Sequence, residues 1–131
     1  MIKTKLKPIL PSLREKKRYL VFEVISRQKL NDFNKISNAI WHYTLQFLGQ
    51  SGGAKTGLMV LGNKWNPDLQ RGIIKVSHKH VDEVKAALAF ATKIDDNEAI
   101  FRTLGVSGII RKAESKYLKQ PSRQLTAGNF L

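Results

Sequence analysis

Cysteine is absent from the sequence. Disulfides, thiolate metal sites and a cysteine nucleophile are therefore excluded, and a reducing compartment suits the chain. Histidine is scarce: His42, His78 and His80 are the only three. No carboxylate or thiolate stands at a spacing that would make a metal site of His78 and His80, so no bound metal or cofactor is expected. Those two read as surface residues at a helix start, and His42 beside Trp41 reads as packing. No run approaches the roughly 18 apolar residues of a membrane helix. The N-terminus, Met1 to Pro8, has no apolar h-region. Membrane insertion and secretion are not expected, and a cytoplasmic location is. Carboxylates are few, 10 against 23 Lys and Arg. The adjacent pairs Asp82-Glu83 and Asp95-Asp96 fall where solvated carboxylates are normal, and no Ser/His/Asp set stands out. The sequence shows no protein active site, although distant residues could converge in the fold.

What is present is a core and a large positive charge. A chain of 131 residues with 42% hydrophobic residues is long enough to bury one core without staples. The net charge of +13 is unevenly spread: residues 1–18 carry +6, residues 109–131 carry +4, and the 90 residues between carry only +3. Basic ends on a nearly neutral middle suit a polyanion that releases counterions on binding. Neither end has the broad Trp- and Phe-bearing apolar face of an interfacial membrane helix.

Periodicity gives the elements. Arg18 to Ser26 is β-branched and aromatic, a strand with Leu20, Phe22 and Val24 on one face and Tyr19, Val21 and Ile25 on the other. Both faces are largely apolar, so both need cover. Asn31 or Asp32 caps a helix running to Leu48, with Phe33, Ile36, Ile40, Tyr43 and Phe47 as its stripe and Gly49 as its stop. Thr56 to Trp65 and Leu69 to Ser77 form a hairpin around Asn66-Pro67-Asp68. A second helix spans Lys79 to Lys93, and a fourth strand spans Glu98 to Val106. A last, basic helix over 107–120 puts Ile110, Ala113 and Tyr117 on one face, and it is the candidate to cover the second sheet face. The order βαββαβ predicts an α+β, ferredoxin-like (RRM-like) antiparallel sheet with two helices on one face and an extra C-terminal basic helix. Residues 1–17 read as a basic arm, 18–120 as the domain, and 121–131 as a flexible tail.

Three local motifs bear on chemistry. Gly49 to Thr56 is one residue from a phosphate-binding loop, but Ala54 stands where glycine is needed, and the loop follows a helix and opens a strand, the reverse of what that motif requires. Arg71-Gly72 opens the third strand as RNA-recognition domains do, yet Ile73, Lys75 and Ser77 offer no aromatic platform. Trp65 reads as either a core residue or an exposed contact for a partner. Arg102 to Lys112 is the most suggestive stretch. Gly105 and Gly108 allow close backbone approach, Ser107 can cap the last helix, and Arg111 and Lys112 fall in its first turn, where free amides suit a phosphate oxygen. A plain strand-to-helix corner with solvated charges fits that spacing equally well.

The words of that stretch add to its spacing. Leu104-Gly105-Val106-Ser107-Gly108 followed by Ile-Ile-Arg-Lys resembles the C-terminal signature of the small basic protein subunit of archaeal ribonuclease P, component 2 of that enzyme and counterpart of the fifth Pop protein of the eukaryotic one. The resemblance recurs, in order, at Leu10 to Tyr19, at Gly72-Ile73-Ile74, and at His80-Val81-Asp82-Glu83-Val84 with Ala87-Leu88.

It implies a subunit of the ribonucleoprotein that removes the 5′ leader of precursor tRNA, in which the RNA and its Mg²⁺ ions do the chemistry. The partners it implies are ribonuclease P RNA, precursor tRNA indirectly, and a TIM-barrel protein subunit in a heterotetramer with two copies of each. The clustering of charge at both ends and the glycine corner nominate Lys16, Lys17, Arg18, Arg102, Gly105, Gly108, Arg111, Lys112 and Lys116 as RNA-binding. The alternatives are another basic RNA-binding protein of this fold, of ribosomal type, and a small-ligand sensor, which would need a pocket of convergent polar groups.

Overall fold

The chain is hydrogen-bonded around its first strand, β1 (Lys17–Ser26). The computed structural model describes residues 16–118; most of the N-terminal arm and all of the tail from 121 to 131 lie outside the described residues. After β1 come α1 (Phe33–Ala54), β2 (Met59–Asn66), β3 (Arg71–Ser77), a single 3-10 turn (His78–His80) leading into α2 (Val81–Ala89), β4 (Lys93–Ile94), β5 (Asn97–Ser107) and α3 (Ile110–Ala113), which continues as a π-helical turn (Glu114–Leu118). The sheet order is β2-β3-β1-β5-β4, antiparallel throughout. With β3 lying between β1 and β2, this is the split βαβ arrangement, consistent with a ferredoxin-like fold. The expected four strands are joined by a fifth, β4. It is two residues long, too short for any periodicity, and its turn uses Asp95 at φ +58°.

One sheet face is covered by α1 and α2. Leu20, Phe22 and Val24 of β1 pack there with Ile36, Ile40, Val84, Leu88 and Phe101. Several of these are fully buried, each contributing about 1.5–3 kcal/mol of burial. Asp32 caps α1 by accepting from Asn34 N at 3.0 Å, as expected. Gly49, at φ +78°, breaks the helix where it was expected to end, and the following residues form a separate short helical piece.

Two expectations are corrected on this side. The stripe of α1 does not extend to Phe47, and α2 ends at Ala89, four residues early, with Phe90 as its cap. Phe47, expected in the buried stripe, is 46% exposed, and it stacks at 5.3 Å on Phe90, which is 65% exposed. The helix layer turns Ile36, Ala39, Ile40 and Thr44 inward and leaves Phe47 on the outer surface. Trp65 is a core residue, partly buried against Phe22 and Phe33.

The second face is covered by α3 and its π turn. Val21, Ile73, Ala113 and Leu118 are buried together, with Tyr19, Leu61, Leu104, Ile110 and Tyr117 around them. A bulge between Val21 and Phe22 leaves Leu104 unpaired in β5, and this residue joins that cluster. So short a helix has no stability of its own; it is held by docking. Its closing carbonyls are satisfied from the sheet: Arg71 Nη1 donates to Tyr117 O at 2.8 Å, and Asn66 Nδ2 donates to Leu118 O at 2.9 Å. Relative to the expected helix over 107–120, the element starts three residues late and is less regular. Residues 119 and 120 lie outside the described residues.

Candidate nucleic-acid interface

Four chain segments meet at the end of the sheet where β1 begins. Lys17 stands opposite Ser77, and Tyr19 opposite Ser107. His78 N donates to Lys16 O, and Ser77 N to Thr56 O, both at 2.8 Å. These bonds bring the start of β1, the end of β3, the approach to β2 and the corner after β5 to one place. Lys16 is exposed, Lys17 and Arg18 are half-buried, and Gly108, Arg111 and Lys112 are exposed. Arg18 Nη1 donates to Lys17 O at 3.1 Å, and a methyl group at Gly108 would lie 3.6 Å from it. Lys16, Lys17, Arg18, Gly108, Arg111 and Lys112 therefore share one end of the molecule, although nearly 90 positions separate them in sequence.

The other three nominated residues are placed differently. Arg102 Nη2 donates to Glu23 Oε1 at 2.6 Å, and Arg71 Nε donates to Glu23 Oε2 at 3.3 Å. Glu23 of the central strand thus sits between two arginines directly opposite it in the flanking strands. Arg71 is only 6% exposed, whereas the Arg102 side chain is 57% exposed. Lys116 is exposed on the π turn, with its Nζ 5.5 Å from the Tyr117 ring centroid. Gly105 lies inside β5 opposite Val21. A Cβ there would fall 2.8 Å from Tyr117 Cε2 and closer still to the hydroxyl. The structure gives this glycine a packing reason: Tyr117 lies against it.

Ser107 is also corrected. It remains in β5, its hydroxyl accepts from Ile109 N at 3.1 Å, and Ile109 takes the cap position without a side-chain bond. The polar part of the Gly49 to Thr56 loop is used internally: Thr56 Oγ1 donates to Gly53 O at 2.7 Å and accepts from Leu58 N at 3.1 Å. His80 pairs with Glu83 at 2.6 Å, while His42 is exposed, edge-on to Tyr43, and not a core packing residue.

Sequence reasoning missed Glu23 and Arg71 as parts of this face. The signal was available: a lone acid in an apolar strand, and an arginine opening a buried one. Among the described residues no three His, Asp or Glu form a metal-holding group, and no helix is long and apolar enough to cross a membrane. In the hollow between α1 and the β4–β5 turn, Lys35 pairs with Asp95 at 3.1 Å, and Tyr43 bonds to Thr92 and Lys93.

Fold and surface together define a small α+β protein whose sheet ends in a cluster of cations suited to a polyanion. Residues 18–118 match the model of the Rpp14/Pop5 family, and the chain belongs to that family. Among curated relatives, ribonuclease P protein component 2 of Pyrococcus furiosus is 41% identical over 116 residues, covering 87% of this chain and 92% of that protein. The proteins of the same name from Thermococcus gammatolerans and Methanosarcina acetivorans are 39% identical over 110 residues and 38% over 114. They cover 84% and 87% of this chain, and 89% and 83% of their own lengths. A chain in the cryo-EM structure of yeast ribonuclease MRP is similar in backbone at a TM-score of 0.49 and 14% identity, covering 75% of this chain and 78% of that one.

Proposed function

We propose that this chain is a protein subunit of ribonuclease P, acting in the cytoplasm to remove the 5′ leader of precursor tRNA. Its part is electrostatic. It binds the ribonuclease P RNA, screens phosphate repulsion and stabilises the RNA's catalytic domain, while the RNA and its Mg²⁺ ions carry out the hydrolysis. The observation that carries this reading, beside family membership, is the cationic end of the sheet: Lys16, Lys17, Arg18, Arg111 and Lys112 converge there with none in an ion pair among the described residues.

A protein partner belongs to the same proposal, a TIM-barrel subunit in a heterotetramer with two copies of each chain. The exposed Phe47–Phe90 stack and the exposed, directly paired Ile25 and Ile100 support it, because one chain alone leaves this apolar surface in water. The small-ligand sensor is disfavoured by the hollow beside α1, where Lys35 and Tyr43 are already engaged.

The experiment is cleavage of precursor tRNA by ribonuclease P RNA at limiting Mg²⁺, with and without this protein and the TIM-barrel subunit. A large rate increase that needs both proteins and is suppressed by salt is expected. No increase, with the RNA active at high Mg²⁺ and the two proteins shown to assemble, would leave a basic RNA-binding protein of another kind.

A further inference from the structure

The middle of the chain is nearly neutral by sequence, yet the fold sorts its charges. Residues 16–18, 55–58, 75–83 and 107–112 meet at the end where β1 begins, and they contain eight Lys or Arg and two carboxylates, Asp82 and Glu83, the latter paired with His80. The opposite end is built from 26–32, 66–70 and 93–98, joined by the Ser26–Ala99 pair and by the Leu30–Gln70 hydrogen bonds. It holds three Lys or Arg and five carboxylates. The molecule is thus electrically polar along its strands.

Three of the eight cations come from the middle segment: Lys55, Lys75 and Lys79. Lys75 lies in the row Met59–Lys75–Tyr19–Ser107 across the sheet. Lys55 precedes Thr56, whose carbonyl is bonded to Ser77, and Lys79 follows His78, whose amide is bonded to Lys16. Lys55 and Lys79 are exposed and Lys75 is half-buried. None of the three is in an ion pair among the described residues, while Lys35, Lys64, Arg71 and Arg102, all away from this end, are paired.

We infer that Lys55, Lys75 and Lys79 join Lys16 to Arg18 in one phosphate-binding surface, and that its ligand is the backbone of double-helical RNA. The inference rests on the proposed RNA-binding function and adds residues and a ligand class to it. The choice of a duplex follows from what surrounds the cations. Single-strand binding uses exposed aromatic rings on which bases stack. The one Phe, Tyr or Trp in these segments, Tyr19, is half-buried against Val21 and Ile73; the other rings there are the imidazoles of His78, which is exposed, and of His80, which pairs with Glu83, while Phe47 and Phe90 belong to the helix layer. Cations drawn from the ends of several strands, with no exposed Phe, Tyr or Trp among them, fit recognition by charge and shape across a groove better than stacking on a lone imidazole.

The test uses the full chain and ribonuclease P RNA, with affinity measured against KCl concentration. The variant Lys55→Ala/Lys75→Ala/Lys79→Ala is compared with Arg27→Ala/Lys29→Ala/Lys93→Ala, which removes the same charge from the opposite end. The first should flatten the salt dependence by up to about 0.9 log units for each phosphate that the protein no longer neutralises. The second should leave the slope close to wild type. Equal weakening by both would overturn the inference and show that only total charge matters. So would an unchanged slope in the first variant while loss of Arg111 and Lys112 lowers it. Thermal melts establish that each variant folds, and the exposed pair Lys55→Ala/Lys79→Ala serves if loss of Lys75 destabilises the sheet. Competition by an RNA duplex and by a single strand of equal length decides the ligand class: better competition by the single strand would overturn the duplex assignment. Wild-type protein that fails to bind any RNA would instead overturn the proposed function itself.

Discussion

Arg71 bonds to the main-chain carbonyl of Tyr117, tying the buried start of β3 to the π-helical turn that closes the second face of the sheet. The same side chain reaches Glu23, which also holds Arg102. A central strand residue, a neighbouring strand and the C-terminal element are linked through one guanidinium. Arg71 and Glu23 are both largely buried, so removing either leaves polar groups that water reaches poorly.

Arg71→Met should lower stability by about 1–3 kcal/mol, because the Tyr117 carbonyl loses its donor while Glu23 keeps Arg102. Glu23→Gln should cost more, about 3 kcal/mol, since the buried Arg71 charge would then face an amide in place of a carboxylate. Urea unfolding measures both. Amide exchange over Ile110–Leu118 should accelerate in Arg71→Met more than over β1. A cost no larger than that of Arg102→Met would show that the link to the C-terminal turn contributes little.

Gly105→Ala tests the packing against Tyr117. The added methyl must displace the phenol ring, and overpacking of this kind costs about 1–3 kcal/mol. In a Tyr117→Ala background the same substitution should cost far less. That double-mutant cycle separates a packing role for Gly105 from a ligand role, because only the latter predicts reduced RNA affinity when stability is restored.

Most of the fold was legible because periodicity reports burial. Leu20, Phe22 and Val24 alternate, and Ile36 and Ile40 share a helical face, so β1, α1 and the side they bury against could be read directly. The pairing of Lys17 with Ser77 was not legible, since register depends on which strands become neighbours. For that reason nothing in the sequence brought Lys55, Lys75 and Lys79 together, although the sheet gathers them beside Lys16. Phe47 failed for a related reason: helical spacing says that residues share a face, and only packing decides which face turns inward. At Gly105 the residue type was informative but its cause was not, because positive φ, close ligand approach and close side-chain approach all select glycine.

Tyr43 fastens α1 to the start of β4. Its hydroxyl donates to Lys93 O at 3.2 Å and accepts from Lys93 N at 3.2 Å and Thr92 N at 3.4 Å. Tyr43→Phe should cost about 1–2 kcal/mol at neutral pH, measured by urea unfolding, and should loosen the β4–β5 turn. Burial pushes the Tyr43 pKa up, but the backbone donors of Thr92 and Lys93 outweigh it and leave the pKa below the ordinary 10.0. A lowered folded-state pKa adds stability once the hydroxyl ionises. The gap between wild type and Tyr43→Phe should therefore widen as pH rises from below the folded value to above 10.0. A gap that narrows over that window would mean that losing the bond to the Lys93 carbonyl dominates.

The two kinds of cation among the nominated residues, unpaired and paired, should behave differently toward RNA. Arg111 and Lys112 are exposed and take part in no ion pair among the described residues. Their joint replacement by alanine should weaken binding of ribonuclease P RNA and flatten its dependence on log salt by up to about 0.9 for each phosphate left without its cation. Arg102 is exposed but bonded to Glu23, so a phosphate must compete with a carboxylate already in place. Its replacement should reduce the salt slope by less than the average per residue of the other two, with affinity read by filter binding across a KCl series. A larger effect from Arg102→Ala would show that Glu23 releases it on binding, leaving the carboxylate to Arg71, and would move the RNA from the end of the sheet toward its middle.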